Sequence, residues 1–263
     1  MFFLYLPLQK SEMDILSSYN LSWLTLVIVI LCGLLVGMSK TGVPGVFAIV
    51  IPALAFVFGA KESTGLVLPM LIVGDFFGVA YYRRHANWQH LIRILPWAVI
   101  GLFLALWIGN HVNDKQFKTM IAILVFLSIG LMLWQDRHKD RVVIPEKWWF
   151  AAFMGILGGF ATMIGNVAGP VFAIYLLAMH LQKNNFIGTG AWFFLIINLA
   201  KFPLQLFVWH NISLHSFTID LIAVPSIVLG AFLGLKVVKI IPEKTYRGFV
   251  ILITAISAFL LLI

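Results

Sequence analysis

Charge is what this chain has least of. Only 11% of its 263 residues are Asp, Glu, Lys or Arg, while 62% are hydrophobic. A soluble domain carries about 25% charged residues, and a soluble fold this poor in polar side chains could not cover its own core. That excludes a soluble enzyme, a disordered chain and a nucleic-acid-binding domain. The net charge of +8 would suggest nucleic acid in a soluble protein; here it reads as a topology signal. Cysteine is nearly absent. Cys32 sits inside an apolar run, so no intrachain disulfide forms and no metal site rests on thiolates. The seven His form no HxxxH or HExxH pair, and no Gly-rich phosphate loop occurs, so neither a metal nor another cofactor is expected. Residues 1–8 have no basic flank and are followed by the polar run 9–14, a poor pattern for a cleaved signal peptide.

Hydrophobic length is what the chain has. Apolar runs lie at 21–38, 44–59, 63–82, 91–109, 117–134, 147–163, 168–181, 186–209, 217–240 and 246–263. A bilayer crossing needs about 20 apolar residues, and most runs meet that. The expected fold is an all-α integral membrane protein with eight to ten transmembrane segments. The second and seventh runs are short, and each follows a polar break, at 39–45 and 162–168. Non-helical backbone at membrane depth survives only beside protein or a water-filled cavity. Both breaks are therefore expected to be broken or re-entrant helices, the pattern that marks a transporter's binding site.

The basic residues give direction. With Lys201 set aside inside a span, thirteen Lys and Arg, Lys40, Arg83, Arg84 and Arg93 among them, fall on one face; Lys10, Lys61, Lys115 and Lys118 fall on the other. Positive charge gathers on the cytoplasmic side, which places both termini outside. Trp88, Trp134, Trp148, Trp149 and Trp209 stand at segment ends, where such rings anchor at the interface.

The two halves repeat. Gly33 and Gly37 match Gly155 and Gly159 at an offset of 122, Val46-Phe47-Ala48-Ile49 matches Val171-Phe172-Ala173-Ile174 at 125, and Gly101 matches Gly230 at 129. Gly65 with Gly190 and His85 with His210 also share the offset of 125. Five segments per half is an odd number, so the halves insert in opposite directions. The expected organisation is an external N-terminal segment 1–20, a first membrane repeat 21–134, a charged cytoplasmic linker 135–146 and a second repeat 147–263.

The stretch Gly37-Met38-Ser39-Lys40-Thr41-Gly42-Val43-Pro44-Gly45 resembles the N-terminal signature of the TauE/SafE family of membrane permeases. So does Ala60-Lys61-Glu62-Ser63-Thr64-Gly65, with Leu68-Pro69, Asp75 and Tyr81-Tyr82-Arg83-Arg84-His85. The resemblance is specific over 33–97 and looser in the second half. It implies a secondary transporter of a small anion, such as sulfite, thiosulfate or a sulfonate. Import and export both occur in the family. Alternating access of the repeats, in the cytoplasmic (inner) membrane of a bacterium, is the expected mode. A membrane-embedded enzyme or assembly factor is the alternative, and would need clustered acid/base or metal ligands on facing helices.

The residues offer a site. Lys40 lies in the first break, where Ser39 and Thr41 could donate to an anion, Gly42 lets backbone approach, and a helix expected to start at Pro44 would present its N–H groups. As a plain cytoplasmic lysine, Lys40 would serve topology alone. The second break offers Thr162 and Asn166, with Gly165, Gly169 and Pro170 beside them; Asn166 is either an amide donor or a helix cap. Lys201 lies deep in its segment and needs a partner. Asp75 stands one position from its repeat counterpart. Either the two form a structural ion pair, or Lys201 binds substrate and Asp75 carries a coupling proton. Asp220 is expected near the outer interface. Asn198 and Gln205 are expected to bond between helices. The expected partners are a small anion, a possible coupling proton and the lipid bilayer.

Overall fold

The computed structural model describes residues 22–113 and 148–242, with positions 115, 116, 119, 120, 123, 245 and 252. Segments 117–134 and 246–263, the linker 135–146 and the N-terminal segment 1–20 lie wholly or almost wholly outside the described residues. Among the latter, eight α-helices follow one another: α1 Trp23–Lys40, α2 Val50–Phe58, α3 Ala60–Tyr82, α4 Trp88–Gly109, α5 Trp148–Gly165, α6 Ala168–Ala178, α7 Lys183–Phe207 and α8 Leu214–Ile240. Six segments, those carrying α1, α3, α4, α5, α7 and α8, are long and apolar enough to cross a membrane. Large apolar side chains such as Trp23, Phe56, Trp107 and Phe232 are exposed on the outside of the bundle, as a lipid-facing surface requires. The chain is an all-α integral membrane protein.

The helix starts are written locally. Ser22 and Asn87 accept from backbone N–H groups three residues on, and Ser213 forms a capping box with Ser216. Pro69, Pro96, Pro203 and Pro225 lie inside helices, which a bundle tolerates because neighbours meet the freed carbonyls.

Both breaks are present, with one correction. α1 runs on to Lys40, and Pro44–Ile49 is a 3-10 turn, so α2 begins at Val50 rather than Pro44. The tighter turn is seeded by the Val46 N–H bonded to the Val43 carbonyl. In the second break only Asn166 and Val167 separate α5 from α6. α2 and α6, of nine and eleven residues, are each too short to cross alone.

Glycine sets the tightest contacts. A Cβ at Gly37 would lie 2.0 Å from the Ile227 carbonyl oxygen, and one at Gly230 2.0 Å from that of Leu34, so α1 and α8 touch backbone to backbone. α4 and α5 repeat the arrangement: a Cβ at Gly159 would lie 1.9 Å from the Ala98 oxygen, and one at Gly101 2.2 Å from that of Ile156. Ala98 and Ile227 are separated by the offset that relates Gly101 to Gly230, and Leu34 and Ile156 by that of Gly33 and Gly155. Contacts advance together along α1 and α8, from Gly33 with Ala223 to Gly37 with Ile227, so these helices run in the same direction. So do α4 and α5, from Ile94 with Gly155 to Ala98 with Gly159. α3 and α7 run oppositely: Tyr82 meets Gly188, while Asp75 meets Asn198.

Of the tryptophans expected at segment ends, Trp88, Trp148 and Trp149 are exposed at helix starts. Trp209 follows the end of α7 but is buried, with its ring over Gly109. Trp134 lies outside the described residues.

Candidate functional site

α1 stops where its chain turns left-handed. The Val43 N–H returns to the Met38 carbonyl at 3.2 Å, and Gly42 takes φ 128°, a region that suits a residue without Cβ. The turn leaves Lys40 on the last helical turn, well inside the bundle. A Cβ at Gly74 or Gly78 of α3 would strike Lys40 itself, so these glycines admit the lysine between the helices. Its Nζ lies 2.8 Å from Asp75 Oδ1 and 4.5 Å from the centre of the Phe194 ring. Asp75 Oδ2 accepts from Asn198 Nδ2 at 2.6 Å, tying α3 to α7. The Asp75 side chain is wholly buried; that of Lys40 keeps 10% exposure.

α5 stops in a comparable way. Asn166 adopts φ 58°, which Asn tolerates better than most residues, and the Val167 N–H reaches back to the Ala161 carbonyl. Lys201, fully buried on α7, donates to the Thr162 carbonyl at 3.1 Å, to Thr162 Oγ1 at 3.3 Å and to Asn166 Oδ1. Three acceptors match the three donors of an ammonium group. Asn166 Nδ2 donates to the Thr64 carbonyl of α3 at 3.2 Å.

One cavity of about 80 Å³ joins the two breaks. A buried water needs roughly 10–15 Å³ on this measure, so the space takes several waters or one small ion. Ser39, Lys40 and Gly42 line it from the first break, Thr162, Asn166 and Gly169 from the second, and Asp75 and Asn198 from α3 and α7. Much of the remaining wall is apolar, including Phe47, Phe172 and Phe194. Nothing lies within 4 Å of where a Cβ on Gly169 would sit, so the start of α6 faces open space there.

Several expected roles change. Asp75 pairs with Lys40, not with Lys201: α1 ends beside Asp75, while Lys201 is taken up by the second break. Lys201 lies behind the wall, outside the lining. The Ser39 hydroxyl donates to the Val36 carbonyl at 2.8 Å, and Thr41, fully buried, donates to the Gly37 and Ala231 carbonyls. Neither hydroxyl hydrogen points to the cavity, because each closes a helix end instead. The Asn166 amide gives one of its two donors to Thr64. Asp220 lies beyond the first turn of α8 and is buried, 4% exposed.

Asn198 bonds between helices as its type suggested, and Gln205 accepts from Asn211. Phe194 had no signal in the sequence, since a phenylalanine among 23 is unremarkable until a lysine lies over it.

The chain is 23% identical over 190 residues to a protein described as "Probable inner membrane transporter protein TsaS" from Comamonas testosteroni, covering 72% of this chain and 78% of that one. No solved structure matches it. The family model "Sulfite exporter TauE/SafE" matches residues 29–261. That match spans both broken helices and the whole cavity wall, and on its breadth the chain belongs to the TauE/SafE sulfite exporter family of membrane permeases.

Proposed function

We propose that this permease carries a small, sulfur-containing anion such as sulfite, thiosulfate or a sulfonate across the cytoplasmic (inner) membrane, and that it binds the anion in the cavity between the breaks. One observation carries the reading: both interrupted helices open onto a single cavity beside two lysines and one carboxylate. The surplus of one positive charge favours an anion in a site where water is scarce. Lys40 spends one donor on Asp75 and stands at the wall with others for the ligand. The Thr162 hydroxyl accepts from Lys201, which leaves its own hydrogen to give. The bare start of α6 at Gly169 adds the positive end of a helix dipole. Lys201 and Asn166 shape the second break rather than touch the ligand, Ser39, Thr41 and Gly42 shape the first, and Asp75 holds Lys40 in place. The family description and the relative's name agree with this class of cargo.

The paired directions of α1 with α8 and α4 with α5 support two inverted repeats, 21–134 and 147–263. Rocking of one repeat against the other would expose the cavity to each side in turn. The charge asymmetry supports both termini outside, including the segment 1–20. In a Cys32→Ser background, an external thiol reagent is expected to label Glu12→Cys and spare Lys139→Cys; the reverse labelling rejects the orientation.

The substrate test is a panel in proteoliposomes: sulfite, thiosulfate, sulfonates and carboxylates, each measured as counterflow and as accumulation with and without a pH gradient. Counterflow of a sulfur oxyanion or sulfonate supports the reading. Transport confined to carboxylates, or none at all, removes it.

A further inference from the structure

Among the described residues, Asp220 is the one buried carboxylate that the anion cavity does not use. It is 4% exposed, and neither of its oxygens has a hydrogen-bond partner among the described residues. It lies on α8, on the same helical face as Ser216, Ala223 and Ile227. Ala223 and Ile227 make the close contacts with Gly33 and Gly37 of α1, so Asp220 belongs to the α1-facing side. Its surroundings are apolar: Ile219 and Ala223 pack in one cluster with Val29, Val36, Leu66 and Val67. An ionised carboxylate without a partner is not stable in such a place.

The fold does not require an acid there. The repeat counterpart of Asp220, by the offset of Gly101 and Gly230, is Leu91, a fully buried apolar residue of α4. One half closes the equivalent helix pair with leucine; the other spends a carboxylate on it. An open cavity comes within a helical turn. A cavity of about 510 Å³ at the start of α8 is lined by Ser216 and Ile219, together with Glu62, His210, Asn211 and His215. It lies at the Glu62 end of α3, opposite the end that carries Arg83 and Arg84.

We infer that Asp220 is a proton-binding site of this permease, loaded from the cavity lined by Glu62, His210 and His215, and that its protonation controls the contact between α1 and α8. The inference rests on the anion-transport reading above. The neutral acid permits the close α1–α8 contact. Loss of the proton sets a charge in that contact and drives it open. α1 ends in Lys40, and Thr41 bonds the Ala231 carbonyl of α8 at 3.0 Å, so movement at the contact reaches the anion cavity through a single rigid helix. Proton and anion are thereby linked without sharing a residue. Among the described side chains at this end of α8, α1 contributes Cys32 on the packed stretch, α3 contributes Glu62, the loop before α8 contributes His210, and α8 contributes His215. Lys40 and Asp75 lie further along, beyond the Gly37–Ile227 contact.

The test compares wild type with Asp220→Asn, which mimics the neutral acid, and Asp220→Leu, which installs the residue of the other half. Each is reconstituted and assayed with the best anion of the panel. We expect both variants to retain counterflow, which needs no net proton movement. We expect pH-driven accumulation to fall roughly tenfold or more, the scale of an ordinary coupling between two sites. Should both variants fail to fold, proton uptake on anion binding is measured for the wild type in two buffers by calorimetry; a proton count of zero overturns the inference. It is also overturned if either variant accumulates anion like wild type, or if wild type shows counterflow but no response to pH. Absence of counterflow in the wild type defeats the transport reading itself, a distinct result.

Discussion

The break after α1 brings its own lysine: Lys40 ends the helix and meets Asp75 at 2.8 Å. The break after α5 has none, and its lysine arrives from α7, where Lys201 donates to both Thr162 and Asn166. Both breaks thus place an ammonium group beside a left-handed turn at the cavity, but they balance it differently. A full carboxylate answers Lys40, which remains partly exposed; neutral oxygens answer Lys201, which is sealed. The difference teaches which lysine can change partners. An ammonium held by a carboxylate at a cavity wall can exchange part of that contact for an arriving anion. An ammonium whose three donors are filled from behind the wall acts as a fixture of the fold.

The largest expected effect concerns what makes the two halves alike. Gly159→Leu and Gly37→Leu should each abolish a monodisperse product on size exclusion, since the new side chain must displace backbone at about 2 Å, far beyond ordinary overpacking costs of ~1–3 kcal/mol. Gly158→Ala, whose Cβ would meet only a Val171 methyl at 3.8 Å, should be tolerated. Equal tolerance of all three would break the pairing of α1–α8 with α4–α5.

Next in size is the carboxylate that distinguishes the first break. Asp75→Asn should lower thermal stability by roughly 3–5 kcal/mol, the cost of stranding a buried partner. A double-mutant cycle with Lys40→Met should give a coupling of about 0.5–3 kcal/mol, whereas the cycle of Asp75→Asn with Lys201→Met should be much closer to additive. A larger coupling to Lys201 would return Asp75 to the second break.

Lys40→Gln should weaken anion affinity by roughly tenfold or more, because a charge-assisted contact is worth about 1.5–3 kcal/mol. Calorimetry in detergent reads this, with exposed Lys115→Gln as the unaffected control. Unchanged affinity in Lys40→Gln would leave the lysine a topology signal and remove the proposed anion contact.

The smallest expected effect is at Thr162. Thr162→Val removes one hydroxyl while Lys201 keeps the Thr162 carbonyl and Asn166, so affinity should fall by only a few-fold, about 0.5–1.5 kcal/mol. A loss as large as that of Lys40→Gln would mean that the second break contributes as much to binding as the first.

Sequence by itself determined the class of molecule, since composition and run length leave a membrane bundle as the only way to bury so many apolar residues. It located both breaks, because a Gly-rich polar stretch between apolar runs is a local signal. It also gave the matching glycines, whose offsets reappear as matching backbone contacts. What it could not assign was partnership. Lys40 and Lys201 both needed a counterpart, and repeat arithmetic pointed Asp75 to Lys201 alone. Only the tertiary structure decided, by running α1 on to Lys40 so that this lysine meets Asp75 and by turning Lys201 toward Thr162 and Asn166. The same applies to Ser39, Thr41 and Asp220. A hydroxyl or carboxyl in the sequence announces a polar atom, but the direction it faces follows from how the helices cross, and that is a property of the whole bundle.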